Sequence, residues 1–163
     1  MADEIIVNMG NYAVAHNPVI LVCLSLGSCV GVAIYDNDKY IGGLAHTMLP
    51  NSSNRPEIRE GFNMNKFVDV SIPAMIGEMI REGCKVESMT AKVVGGAHMF
   101  PGILDKEIMD IGKRNEAAAR EALEKFGVKV VASDTLGNIG RSIRFDTSTG
   151  KLTIKTKESV KEI

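Results

Sequence analysis

The chain has no tryptophan, and only three tyrosines and five phenylalanines among its 163 residues. A core built on stacked rings is therefore excluded, and Val, Ile, Leu, Met and Ala must fill it. Cysteine is scarce too. Three residues make an odd set, far from the density of a secreted disulfide scaffold, and reduced thiols are expected. Neither sign of charge prevails, with 19 Lys and Arg against 20 Asp and Glu for a formal net charge of -1. No basic excess is left to hold a phosphate backbone, so nucleic acid is not expected as the main partner. No apolar run approaches the roughly 20 residues of a membrane helix, so no direct membrane insertion is expected. The start Met1-Ala2-Asp3-Glu4 is acidic where a secretory signal would be basic, which points to a cytoplasmic location.

What is present is an ordinary globular composition, 45% hydrophobic and 24% charged, at a length that suits one domain over residues 1–163. Ile5-Ile6-Val7 and Tyr12-Ala13-Val14-Ala15 read as short strands on either side of a turn. Val19 to Leu24 is a continuous apolar run, the pattern of a strand buried on both faces. Val30 to Tyr35 and Tyr40 to Met48 read as two strands joined by the turn Asp36-Asn37-Asp38. Residues 50 to 62 read as an exposed loop. Asn63 to Arg81 has helical spacing, with Phe67, Val70, Ala74, Met75 and Met79 on one face, a kink or restart at Pro73, and Gly83 as its stop. Cys84, just past that stop, is read as a packing or surface residue. Lys85 to Val94 reads as strand. Glu116 to Phe126 reads as a helix entered through Gly112-Lys113-Arg114-Asn115 and stopped by Gly127. Asn115 falls on its apolar stripe and needs hydrogen-bond partners there, most simply a loop backbone. Val128 to Ala132 is a further strand. Ser142 to Phe145 and Leu152 to Lys155 form a hairpin, and the charged tail from Lys157 to Ile163 is expected to fray. Many short strands with two main helices indicate an α+β fold, mostly antiparallel.

One stretch carries chemistry. Leu24-Ser25-Leu26-Gly27-Ser28-Cys29 sets a cysteine after a Gly-Ser break and directly ahead of a strand. Gly42-Gly43-Leu44-Ala45-His46 sets a histidine near the end of the return strand. A hairpin turning at Asp36-Asn37-Asp38 brings Cys29 and His46 to the same end, where directly opposed Cβ atoms lie roughly 5 Å apart. The register is left open, and a slip of one residue would turn one side chain to the other face. A thiol and an imidazole so placed can serve as nucleophile and base, and equally Cys29 can be a small packed hydrophobe. Gly95-Gly96-Ala97-His98 follows another strand, and its spacing fits neither a P-loop nor a dinucleotide fingerprint. Zinc on Cys23, Cys29, His46 and His98 would match by ligand type but lacks paired-ligand spacing, so neither metal nor cofactor is expected. His98 is read as lining the edge of a site, and His16 as a surface residue.

Five segments together carry a resemblance. They are Leu26-Gly27-Ser28-Cys29-Val30, Gly43-Leu44-Ala45-His46-Thr47-Met48-Leu49-Pro50, Gly95-Gly96-Ala97-His98-Met99-Phe100, Ile111-Gly112-Lys113-Arg114-Asn115 and Asp134-Thr135-Leu136-Gly137-Asn138. In this order they resemble the CheD family of chemoreceptor glutamine deamidases. The resemblance implies a layered α/β sandwich similar to the glutamine-deamidating toxins. It implies an amide hydrolase of the protein-glutamine glutaminase type, acting in chemotaxis on the cytoplasmic helices of chemoreceptors, and a second partner in a CheC-type phosphatase. It implies Cys29 as nucleophile and His46 as base, with a threonine six positions before the cysteine in the third role. That position is Cys23 here. Sulfur is a weak hydrogen-bonding atom, so the third role stays open between Cys23 and the hydroxyl of Ser25. Leu136 stands where a glycine is more usual.

The chemistry expected of these residues is attack of Cys29 on the glutamine δ-carbon from a thiolate–imidazolium pair. Backbone N–H groups near Gly27, Ser28 and Cys29 would meet the oxyanion, and a thioester would then be hydrolysed. The competing expectation is a weakly catalytic or non-catalytic module that binds and regulates a CheC-type phosphatase. A cysteine hydrolase of esters or other amides is a third.

Overall fold

The computed structural model describes residues 2–53, 63–100, 102 and 104–163. The strands in chain order are β1 (Asp3–Ile6), β2 (Asn11–His16), β3 (Val19–Leu26), β4 (Val30–Asp36) and β5 (Ile41–Thr47). Helix α1 (Val68–Arg81), β6 (Met89–Gly95), α2 (Lys106–Lys125) and β7 (Lys129–Thr135) follow. β8 (Arg141–Asp146), β9 (Leu152–Lys155) and β10 (Val160–Glu162) complete the order. They form two five-stranded sheets, an inner one ordered β2-β5-β4-β6-β7 and an outer one ordered β1-β3-β8-β9-β10. Only β1 with β3 and β6 with β7 pair in parallel among the described strands. The fold is α+β, mostly antiparallel, as the sequence indicates.

The layering follows from side-chain alternation along β4. Val30, Val32 and Ile34 point one way, into a core shared with Ile72, Met75 and Met79 of α1 and Ala119 and Leu123 of α2. Ala33 and Tyr35 point the other way, into a second core with Leu21, Ile143 and Phe145 of the outer sheet. Every residue of β4 and of β5 is therefore buried, and the molecule is a helix–sheet–sheet sandwich. Glycines thin the seam where the sheets meet. A Cβ on Gly42 would lie 2.7 Å from the Phe145 ring, and one on Gly31 would lie 2.7 Å from Ile143 Cδ1.

Several expectations need correction. The run from Val19 to Leu24 is not buried on both faces. As part of the outer sheet, β3 turns Leu21 and Cys23 inward and leaves Leu24 half exposed. Residues 64–66 form a separate 3-10 turn, so α1 starts at Val68 and runs through Pro73 to Arg81. Its buried stripe is Val68, Ile72, Met75, Ile76 and Met79, while Val70 and Ala74 are only half-buried. Gly83 ends it at φ +96°, with the Cys84 N–H donating to Met79 O, and Cys84 is a buried packing residue. Helix α2 begins ten residues before Glu116. Gly112, read as part of the lead-in to the helix, lies inside it because packing there overrides propensity. The tail does not fray. Strand β10 pairs with β9, Lys161 reaches Asp134, and Lys92 donates across to the carbonyls of Gly150 and Ile163. Most of the loop expected over 50–62 lies outside the described residues.

Candidate active site

The turn at Asp36 forms as its residues require, the Asp36 carboxylate accepting the N–H groups of Asp38 and Lys39. It fixes the ladder so that Val30 faces Thr47 and Gly31 faces His46. Cys29 lies two residues before Gly31 and packs against the inter-sheet core, on the same side as Gly31 and His46. The two side chains are thus diagonal neighbours, a relation with Cα atoms about 7–8 Å apart and within reach of longer side chains. They share the face and the end that the sequence suggests, but they are not directly opposed.

His46 is 2% exposed. Its Nδ1 lies 3.1 Å from the carbonyl oxygen of Val7, which can only accept, so Nδ1 carries the proton. In the neutral ring this leaves Nε2 with a lone pair, and Nε2 is buried without a protein partner. Burial pushes the imidazole below its ordinary value, against the hydrogen bond to Val7. Cys29 is half-buried, and burial pushes its thiol up, against the pull of its own backbone N–H. Both shifts favour neutral forms. The resting pair is a thiol and an imidazole, not the ion pair expected from residue types alone.

The loop bearing Cys29 is held by backbone. Gly96 N–H donates to Cys29 O and Ala97 N–H to Gly27 O, both at 2.9 Å. Gly95 has φ +114°, and a Cβ there would stand 2.3 Å from Cys29 O, so only glycine fits. Next to it, Leu136 N–H donates to Gly95 O and His98 N–H to Gly137 O. Three of the glycine-rich segments singled out in the sequence therefore meet around the thiol. A fourth arrives from α2, where Asn115 donates to the carbonyls of Ser28 and Met48 at 2.9 Å each.

The remaining candidates fall at different depths. Cys23 is fully buried, and its thiol lies well above the usual range, first through burial and then through the nearby Cys29. Ser25 is exposed at φ +56°, its N–H bonded to Ser142 Oγ within a bulge of β3. Gly27 and Ser28 are half-buried beside Cys29. His98 is half-buried with its Nε2 unpartnered. His16 is an exposed residue paired with Glu82. Among the described residues no cluster of three or more His, Cys, Asp or Glu is arranged to hold a metal. A cleft of about 550 Å³ opens beside Gly27, with Leu24, Ser25, Met99, Arg141 and Lys155 in its walls. Leu24, Met99, Phe100 and Leu136 are exposed apolar residues around the same end. No described helix is long and apolar enough to cross a membrane. The Val7 carbonyl is a contributor the sequence does not announce, since a backbone oxygen carries no residue signature.

The architecture is thus a helix–sheet–sheet sandwich that keeps one thiol and one imidazole at an end of its inter-sheet seam. A family profile described as CheD chemotactic sensory transduction matches residues 48–156. Proteins named "Probable chemoreceptor glutamine deamidase CheD" from Caldanaerobacter subterraneus subsp. tengcongensis and Desulforamulus reducens are each 42% identical. The first aligns over 150 residues, 92% of this chain and 91% of that protein, and the second over 153 residues, 94% and 90%. "Probable chemoreceptor glutamine deamidase CheD 2" of Geobacter metallireducens is 42% identical over 164 residues and the whole of both chains. This chain belongs to the CheD family. Among solved structures, a hypothetical protein YfiH of Bacillus licheniformis matches with a TM-score of 0.49 at 13% identity. That match covers 77% of this chain, which spans about half, 51%, of the other.

Proposed function

We propose that this protein is a cytoplasmic protein-glutamine deamidase of chemotaxis, a single domain that converts glutamine side chains on chemoreceptor helices to glutamate. The observation that carries the reading is the placing of Cys29 on the same face and at the same end of the hairpin as His46, whose Nδ1 is held by Val7 and whose Nε2 is free. Membership of a family whose members carry the deamidase name supports it.

In the mechanism, Nε2 of His46 takes the thiol proton as Cys29 Sγ attacks the amide carbon. The Cys29 N–H, which favours the charged form of its own sulfur, meets the oxyanion in this mechanism. The imidazolium gives its proton to the departing nitrogen, ammonia leaves, and a thioester remains. Water then attacks with His46 again as base. The second tetrahedral adduct expels sulfur, which recovers its proton, and glutamate is released. In this reading the Val7 carbonyl does the orienting that the resemblance gives to a threonine, Cys23 serves as packing, and Ser25 and His98 stand at the substrate edge. No metal or organic cofactor takes part. Each turnover places a negative charge on a helical bundle, which changes repulsion between helices and biases a signalling equilibrium.

The exposed apolar residues Leu24, Met99, Phe100 and Leu136 favour a docking role for the same face, and we propose a CheC-type phosphatase as a competitor of the receptor there. A second reading, a weakly catalytic regulatory module, draws on the burial of His46 and the neutral thiol. The test is mass spectrometry of a chemoreceptor cytoplasmic fragment incubated with wild type and Cys29→Ala. Site-specific conversion of glutamine to glutamate by the wild type alone is expected. Equal conversion by both removes Cys29 as nucleophile, and none by either favours the regulatory module.

A further inference from the structure

Asn115 is fully buried on α2, on the same apolar stripe as Ala118, Ala119 and Ala122. Both hydrogens of its amide are used. One goes to the carbonyl of Ser28, the residue before Cys29, and one to the carbonyl of Met48, two residues after His46. Its Oδ1 is left buried without a partner. A buried acceptor left unpaired is unfavourable and calls for a reason. The two donors supply it, because an amide that donates twice must turn its oxygen away.

The bond to Ser28 acts on more than Ser28. A trans peptide is planar, so its C=O and the following N–H point in opposite directions. Ser28 O is drawn toward the helix layer by Asn115, and the Cys29 N–H is therefore aimed toward the inter-sheet seam. That is the side on which Cys29 and His46 lie. The helix can reach this far because of two glycines. A Cβ on Gly112 would stand 2.6 Å from the carbonyl oxygens of both Gly96 and Ala97, and one on Gly96 would stand 2.7 Å from Gly112 O. Helix α2 thus lies backbone to backbone on the loop after β6, and Asn115, three residues on from Gly112, shares that face.

We propose that Asn115 is a positioning residue: its side-chain amide ties the Cys29 loop to the end of the His46 strand and sets the Ser28–Cys29 peptide plane, so that the Cys29 N–H serves as an oxyanion donor. The proposal rests on the deamidase reading for its biological substrate, but not for its geometry, and the two are tested apart.

The experiment uses the full chain with Asn115→Ala and the near-isosteric Asn115→Asp, which would set a carboxylate against two carbonyls. Cys29 is acylated with p-nitrophenyl acetate, which passes through an oxyanion, and separately alkylated with iodoacetamide, which does not. Both are followed by mass spectrometry of the Cys29 peptide, Cys23 and Cys84 being buried. The expected result is an acylation-to-alkylation ratio at least about tenfold lower in both variants. It would approach the 10²–10³-fold cost of losing a whole oxyanion donor, with Asp worse than Ala. Deamidation kcat per alkylatable thiol falls in step while KM changes little. An unchanged ratio with a lowered melting temperature makes Asn115 a packing residue and overturns the proposal, as does failure of both variants to fold. A lowered ratio in a protein whose wild type never deamidates a receptor leaves the clamp standing and removes the deamidase reading.

Discussion

His46 stands directly opposite Gly31 in the β4–β5 ladder, and the side chain that Gly31 lacks is what lets Ile143 and Leu26 close down on the face that Cys29 and the imidazole share. A methyl group there would meet Ile143 Cδ1 at 2.7 Å and Leu26 Cδ1 at 3.1 Å. Gly31→Ala is therefore expected to cost about 1–3 kcal/mol, the usual range for overpacking a core, and to lower kcat by separating the seam around the pair. Urea unfolding with parallel deamidation assays checks it, and a variant of wild-type stability and rate would refute it.

The pH behaviour of the pair follows from the direction of its shifts. Burial raises the thiol and lowers the imidazole, so neither is charged at neutral pH. Iodoacetamide alkylation of Cys29 should keep accelerating as pH rises past about 8.5, the ordinary thiol value. A rate plateau already present near pH 6 would indicate a preformed ion pair instead.

His46 also enters the stability curve. Its folded value is depressed, so the unfolded chain binds the proton more readily. This contribution is present above the unfolded value of about 6.5 and is lost as pH falls from there through the folded value. His46→Gln should flatten that part of a urea-stability profile, and an unchanged acid slope would sink the assignment.

Leu136 is held at φ +67°, a region costly for a branched side chain, by its N–H bond to Gly95 O and its carbonyl bond from Arg141. Leu136→Gly relieves that strain but loosens the unfolded chain. A net gain of about 0.5–1 kcal/mol is expected. Loss of stability in denaturant titrations would show that the leucine side chain packs better than its 37% exposure suggests.

Cys23→Thr returns the residue type that the family resemblance leads one to expect. With the Val7 carbonyl already orienting His46, kcat should change by less than tenfold, or about 1.4 kcal/mol. A larger rise in steady-state deamidation would give the third role to position 23.

The hairpin that joins Cys29 to His46 was legible because its turn has a side-chain signature in Asp36 and its strands a plain apolar pattern. Its register was not, since a bulge or a one-residue slip leaves composition unchanged. Asn115 was visible as a polar residue on an apolar stripe, yet its partners lie 87 and 67 residues away and are carbonyls, which every residue has. The start of α2 was hidden because Gly112 obeys a close approach to Gly96 rather than helix propensity. Strand β10 was hidden because its residues are exposed, two of its three are charged, and its ladder with β9 runs through backbone that carries no residue signature.

The order in which the outer sheet is stitched together bears on how the protein comes into being. Its strands come from both ends of the chain, β3 at Val19–Leu26 pairing with β8 at Arg141–Asp146, whereas β4, β5 and β6 follow one another in sequence. Contacts that close long loops form slowly, so the inner sheet has the kinetic advantage during folding. Until Ile143 arrives over Gly31, the thiol and imidazole face solvent rather than a seam. Reactivity of Cys29 in a refolding chain is thus a clock for the last docking step.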